Sequence, residues 1–139
     1  LITCTRSKKP YACTARELYS ESEKFRRALD FADRYYDHTY VVSARHGLVD
    51  MTQILHPYNR ALSEYSEAEQ AAWAQFIVAC LRREGMTKRH IICIHADELY
   101  TKRLVVALKL YGVQNRLLPW GEPPLFGSLR KRRAPPRPK

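Results

Sequence analysis

Residues 90–118 read HIICIHADELYTKRLVVALKLYGVQNRLL, and their patterning decides the fold. His90-Ile91-Ile92-Cys93-Ile94-His95 is continuously apolar inside, the mark of a strand covered on both faces. Asp97 stands where a helix N-cap belongs, and Leu104, Ala107, Leu108 and Tyr111 then recur at helical spacing. Gly112 stops the helix, and Val113–Leu118 returns to a strand pattern. A strand, a helix and a strand in so short a span predict two parallel strands joined by a right-handed crossover.

The rest of the chain repeats this alternation. Ser66 and Glu69 form a capping box, Trp73, Phe76, Ile77, Cys80 and Leu81 make an apolar stripe, and Gly85 ends it. Upstream, Tyr40–Ala44 reads as a strand. The spacing of Phe25, Ala28, Leu29, Ala32 and Tyr36 predicts a helix from about Glu21 to Tyr36, with Ser20 and Glu23 as its capping box. Leu1–Cys4 is a buried strand, and Pro10 forbids a helix through the loop that follows. The stretch from Leu48 to Leu62, with Pro57 inside, reads as a long loop. The order β-α-β-loop-α-β-α-β predicts an α/β fold, a three-layer α/β/α sandwich around a mainly parallel sheet of about four strands.

The 139 residues suit one domain, 1–126, followed by a basic Arg/Pro-rich tail, 127–139. That tail, GSLRKRRAPPRPK, contains Arg130, Lys131, Arg132 and Arg133 and no acid, and it supplies six of the 24 Lys and Arg residues behind the net charge of +10. Arg with Pro makes an extended polycation that attracts nucleic acid by counterion release. No apolar run approaches the roughly 20 residues of a membrane span. The start lacks the basic lead-in of a signal peptide, and a first residue of Leu1 marks a processed chain or a piece of a longer one. Cys4, Cys13, Cys80 and Cys93 form no C-x-x-C pair. They predict free thiols in a reducing cytoplasm rather than a disulfide framework or a zinc site. No motif demands a cofactor.

Ligands of open parallel sheets bind beyond the carboxyl ends of the strands. That rule selects Thr5–Tyr19, Arg45–Asn59 and Ala96–Tyr100. In the first, Thr5, Ser7 and Lys8 offer hydroxyls and an ammonium to a phosphate, without the Gly-rich pattern of a nucleotide loop. Cys4 is a thiol at the strand end with no identifiable base. In the second, Ser43, Arg45, His46, Asp50, His56, Tyr58 and Asn59 converge, and Gly47 permits a backbone that other residues resist. His46 could act as a general base, Asp50 or Asn59 could activate water, and Tyr58 could stack on a base. Each also has a plain structural reading, as surface histidines or core filler.

Taken in order, LITCTRSKKPY, ARELYSES, VVSARHGLVD and HPYNRAL resemble a set of small bacterial and phage domains, distant relatives of the YaaA peroxide-stress family. The resemblance runs from about Leu1 to Gly112. It matches Cys4, Thr5, Ser7 and Lys8 to the family start, Leu18 and Tyr19 to a Leu-Tyr pair, and Ser43, Ala44, Gly47 and Leu48 to a Ser-Ala-x-x-Gly-Leu segment. Pro57 and Tyr58 match a Pro-Tyr pair. Asn59 stands where an Asp usually follows, and His46 where an aromatic often precedes the glycine. The resemblance implies an α/β fold akin to uracil-DNA-glycosylase-like domains, and an association with nucleic acids, modified bases or DNA damage.

Three functions fit these readings. One is an enzyme acting on a base or nucleoside of nucleic acid, such as an N-glycosidic bond hydrolase, with Asn59, Asp50 and His46 catalytic. In it Cys4, Thr5, Ser7, Lys8, Tyr19, Ser43, Arg45, Gly47, Pro57 and Tyr58 bind substrate. The others are a non-catalytic DNA- or RNA-binding module and a small-molecule nucleotide enzyme. The sequence leaves the oligomeric state and any fused or partner domain open.

Overall fold

A computed structural model describes residues 1–117. The tail 127–139 and its four named cations therefore lie outside the described residues, as does the proposed boundary at 126.

The first strand, β1 (Ile2–Thr3), is short and fully buried. It pairs in parallel with β3 (Tyr40–Ser43), Ile2 opposite Val41 and Thr3 opposite Val42. On its other side a parallel bridge joins Ile2 to His95. Bonds from Leu1 N to Cys93 O (2.6 Å), His95 N to Leu1 O (2.9 Å) and Thr3 N to His95 O (3.1 Å) carry that contact. His95 closes β6 (Ile91–Ile94), which pairs in parallel with β7 (Gln114–Leu117). β4 (Gly47–Asp50) runs antiparallel beside β3. The strands thus follow one another as β4, β3, β1, β6, β7, and a separate ribbon pairs β2 (Cys13–Thr14) antiparallel with β5 (Ile54–Leu55).

Among the described residues the architecture is mixed α/β, with four helices and several small sheets. A clear three-layer sandwich around one four-stranded parallel sheet is not seen, since the pairs β1–β3 and β6–β7 lie in separate small sheets joined by the isolated Ile2–His95 bridge. The parallel pairs are present, but the long loop expected at Leu48–Leu62 contains β4, β5 and a 3-10 turn at Leu62–Glu64. The reason lies at Gly47. Its φ of +72° is left-handed, so a three-residue link, Ala44 to His46, folds the chain straight back along β3. The first loop likewise contains β2 and a four-residue helix, α1 (Ala15–Leu18). These pieces are held by pairing across the chain: Ala15 N donates to Gln53 O and Arg16 N to Met51 O.

Helix α2 (Glu23–Tyr35) begins two residues later than predicted, because Ser22 rather than Ser20 is its cap; Ser22 Oγ accepts from Phe25 N. Ser20 instead donates to Glu17 O. Helix α3 (Glu67–Arg83) has the predicted box, with Glu69 N donating to Ser66 Oγ and Ser66 N to Glu69 Oε1. Its buried face is Gln70, Trp73, Ala74, Ile77, Val78 and Leu81, whereas Phe76, expected inside, is exposed. Asp97 takes the N-cap position of α4 (Glu98–Leu110), which packs against α3 and β7. Ile91, expected to be covered, is exposed near the end of the sheet. One core joins these elements: Ile2, Leu18, Phe25, Val41, Leu62, Ile77, Ile94 and Leu104 are all fully buried. Each such side chain contributes about 1.5–3 kcal/mol.

Candidate functional site

Parallel pairing sets the carboxyl ends of β1, β3 and β6 side by side, so Cys4, Ser43 and the start of α4 meet at one rim. Cys4, buried just beyond β1, donates its amide to Val42 O at 3.0 Å. Its Sγ lies 3.5 Å from Tyr100 Oη, and Tyr100 accepts from Leu62 N at 3.3 Å.

Beside the thiol runs a chain of hydroxyls. Tyr58 Oη is 2.5 Å from Tyr19 Oη and 2.7 Å from Ser43 Oγ, which in turn accepts from His46 N at 3.1 Å. Tyr19 and Ser43 are completely buried. Each hydroxyl holds one proton, so each can donate at most one of these bonds. Burial pushes the Tyr19, Tyr58 and Tyr100 phenols far above their ordinary range, and proximity to Cys4 adds to this. All three therefore stay neutral and act as hydrogen-bonding groups, not as bases.

The two long loops meet over Tyr58. Lys8 Nζ sits 4.6 Å from the centroid of the Tyr58 ring, and His46 meets the same ring nearly at right angles, centroids 4.9 Å apart. Lys8 is half-buried, and desolvation lowers its pKa while Cys4 acts in the other direction. His46 also titrates below its ordinary value, through burial and the neighbouring Arg45 charge. Its Nε2 is buried and has no hydrogen-bond partner among the described residues. Gly47 is fixed twice over, by its φ and by Phe76, whose Cε1 would lie 3.0 Å from any added Cβ.

Next to this junction opens a cleft of about 510 Å³, lined chiefly by Arg45, His46, Gln53, His56, Tyr58 and Asn59, with Ile54, Leu55 and Pro57 along its wall. Its lining includes a guanidinium, two imidazoles and two amides and, among the described residues, no carboxylate.

The structure thus brings together Cys4, Lys8, Tyr19, Ser43, Arg45, His46, Gly47, Pro57, Tyr58 and Asn59. Thr5 turns inward on its own loop, Oγ1 donating to Ser7 O at 2.9 Å, and Ser7 is exposed. Asp50 is elsewhere. It pairs with Tyr40, three rungs from the Ser43–Gly47 pair and so about 10 Å along the ribbon. There its Oδ1 accepts from the Thr52 amide and hydroxyl, which hold the carboxyl below its usual range. Tyr19 reaches the cleft only through Tyr58, and Lys8 covers one face of the Tyr58 ring that base stacking was expected to use. Tyr100 and Gln53 lie inside segments that the strand-end rule selects but are not singled out by it. The signal for Tyr100 was its place in the first turn of the helix after β6. Gln53 left none.

Fold and site together define a mixed α/β domain with a buried thiol–phenol–hydroxyl cluster at its parallel strand ends, opening on a cationic cleft. The chain belongs to a family of unknown function, DUF6884, whose model matches residues 1–119. No curated protein and no solved structure matches it. Among the described residues no helix is long and apolar enough to cross a membrane, and no His, Cys, Asp and Glu cluster could hold a metal ion.

Proposed function

We propose that this domain binds nucleic acid and acts on one base or nucleoside of it, hydrolysing an N-glycosidic bond. The observation that carries the reading is the meeting of Lys8 with Tyr58 beside a cleft that holds Arg45, His46, His56, Gln53 and Asn59. Cations suit a phosphate, and free amides suit the donor and acceptor edge of a base. The cleft's size falls in the range of small-ligand sites and would take one extruded nucleotide. The motif likeness to relatives of the YaaA family supports the same direction.

In this reading Arg45 holds phosphate, while Asn59 and Gln53 meet the base edge. His46, neutral near pH 7, accepts a proton from water as it adds to C1′. The C1′–N bond breaks, and the base leaves with its electron pair. Asp50 takes no part, since the hairpin holds it at the far end.

The lack of a carboxylate among the described residues of the cleft favours one alternative, a module that binds nucleic acid without catalysis. One assay separates the two. Oligonucleotides carrying normal and modified bases are incubated with excess protein, and abasic sites are read by alkaline strand cleavage. The glycosidase reading expects abasic sites from at least one base, reduced about 100-fold or more by His46→Ala. Binding without release across the panel leaves the module. Absence of both binding and release overturns the two together.

A further inference from the structure

Lys8 differs from its neighbour in a way that phosphate binding alone does not require. Lys9 pairs with Glu21 at 3.6 Å. Lys8 has no carboxylate within 4.0 Å among the described residues, and its one hydrogen bond is a long one, 3.4 Å to Arg6 O. Its stem is half-buried, and its amine lies over an aromatic face at the edge of the cleft. A weakly anchored lysine amine in a desolvated, aromatic setting is the environment that activates a lysine as a nucleophile. The other nucleophile of the cluster, Cys4, is 7 % exposed and turned onto Tyr100. Lys8 is the group that can reach out.

We propose that Lys8 is an amine nucleophile that forms an imine with an aldehyde at C1′ of a deoxyribose. The inference rests on the proposed function, because removing a base leaves a sugar in equilibrium with its open-chain aldehyde. The neutral amine adds to C1′, a C–N bond forms, and the carbonyl oxygen takes up a proton. The carbinolamine then expels water and leaves a protonated imine. Water reverses the step, so no oxidant or reductant is consumed. The lowered proton affinity of Lys8 raises the share of neutral amine near pH 7 and so supports the addition.

The test uses an oligonucleotide with a single abasic site and sodium cyanoborohydride, which reduces an imine to a stable amine. Intact mass and peptide mapping locate the adduct, and fluorescence anisotropy in the same mixtures reads binding. The expected result is one adduct per chain at Lys8, reduced roughly tenfold or more in Lys8→Arg and unchanged in Lys9→Arg. Retained binding by Lys8→Arg shows that the variant is folded. Binding with adducts scattered over other amines, or undiminished in Lys8→Arg, overturns the inference and leaves the proposed function intact. No binding by the unaltered protein overturns both.

Discussion

At the scale of the residue, Tyr58 fastens the second loop to the sheet. Its hydroxyl touches Tyr19 and Ser43, and its ring carries Lys8. Tyr58→Phe keeps the ring but takes from the buried Tyr19 and Ser43 hydroxyls the phenol they share, while Ser43 Oγ keeps the His46 amide. Denaturant unfolding should show a loss of about 1–3 kcal/mol. A loss near zero would mean that water replaces the phenol and that the loop is fastened elsewhere. Gly47→Ala should cost about 1–3 kcal/mol, since its left-handed backbone resists a side chain and Phe76 stands in the way. His46 predicts a pH dependence. Its folded pKa lies below the ordinary 6.5, so below about pH 6.5 the unfolded chain takes up a proton that the folded protein resists. Stability should therefore fall as pH drops through that window and be flat in this respect above it. In His46→Gln the same urea titrations should lose part of that slope.

At the scale of the element, what the sequence made legible depends on how each piece is held. Helix α3 was plain because Ser66 and Glu69 cap it locally and Trp73, Ile77 and Leu81 of its apolar stripe share one buried face. Ser66→Ala should remove about 1 kcal/mol, seen as a lower thermal midpoint without change in the helical spectrum of the folded protein. The strand–helix–strand unit at residues 90–118 was legible for the same reason, its apolar run and stop signals being local. By contrast β2 and β5 are two residues each, and only the pairing of Cys13 with Leu55 and Thr14 with Ile54 makes them strands. No composition signals such pairing. The hairpin of β3 and β4 was hidden because Gly47 reads equally as a loop glycine and as the left-handed end of a tight turn. The cap of α2 was misplaced by two residues because Ser20 and Ser22 both precede acceptable partners, and only geometry selects Ser22. The site followed the same divide. The rule of carboxyl strand ends selected the segments that contain Lys8, Arg45–Asn59 and Tyr100. It could not show that Tyr19 is sealed inside, that Asp50 is carried to the other end of the hairpin, or that Tyr100, in the first turn of α4, turns its hydroxyl to Cys4.

At the scale of the whole molecule, charge and topology point the same way. The net charge of +10 is concentrated in the final residues, where 127–139 contain six cations. At the strand-end rim, Arg6, Lys8 and Arg45 have no ion pair within 4.0 Å among the described residues. Removing residues 130–139 should therefore weaken oligonucleotide binding and flatten its salt dependence, by about 0.9 in log–log slope for each phosphate no longer neutralised. Binding by the shortened chain should persist at low salt, carried by the rim. A shortened chain that binds nothing would assign all recognition to the tail.

In the proposed function the loop at residues 5–8 and the cleft residues 45, 46 and 53–59 form one ligand-binding rim. Amide chemical-shift mapping tests it most directly, with the protein titrated by a short single-stranded oligonucleotide at moderate salt. The largest shifts are expected within those stretches, growing together with a single affinity. Shifts confined to the outer face of α2, or to the tail alone, would contradict it.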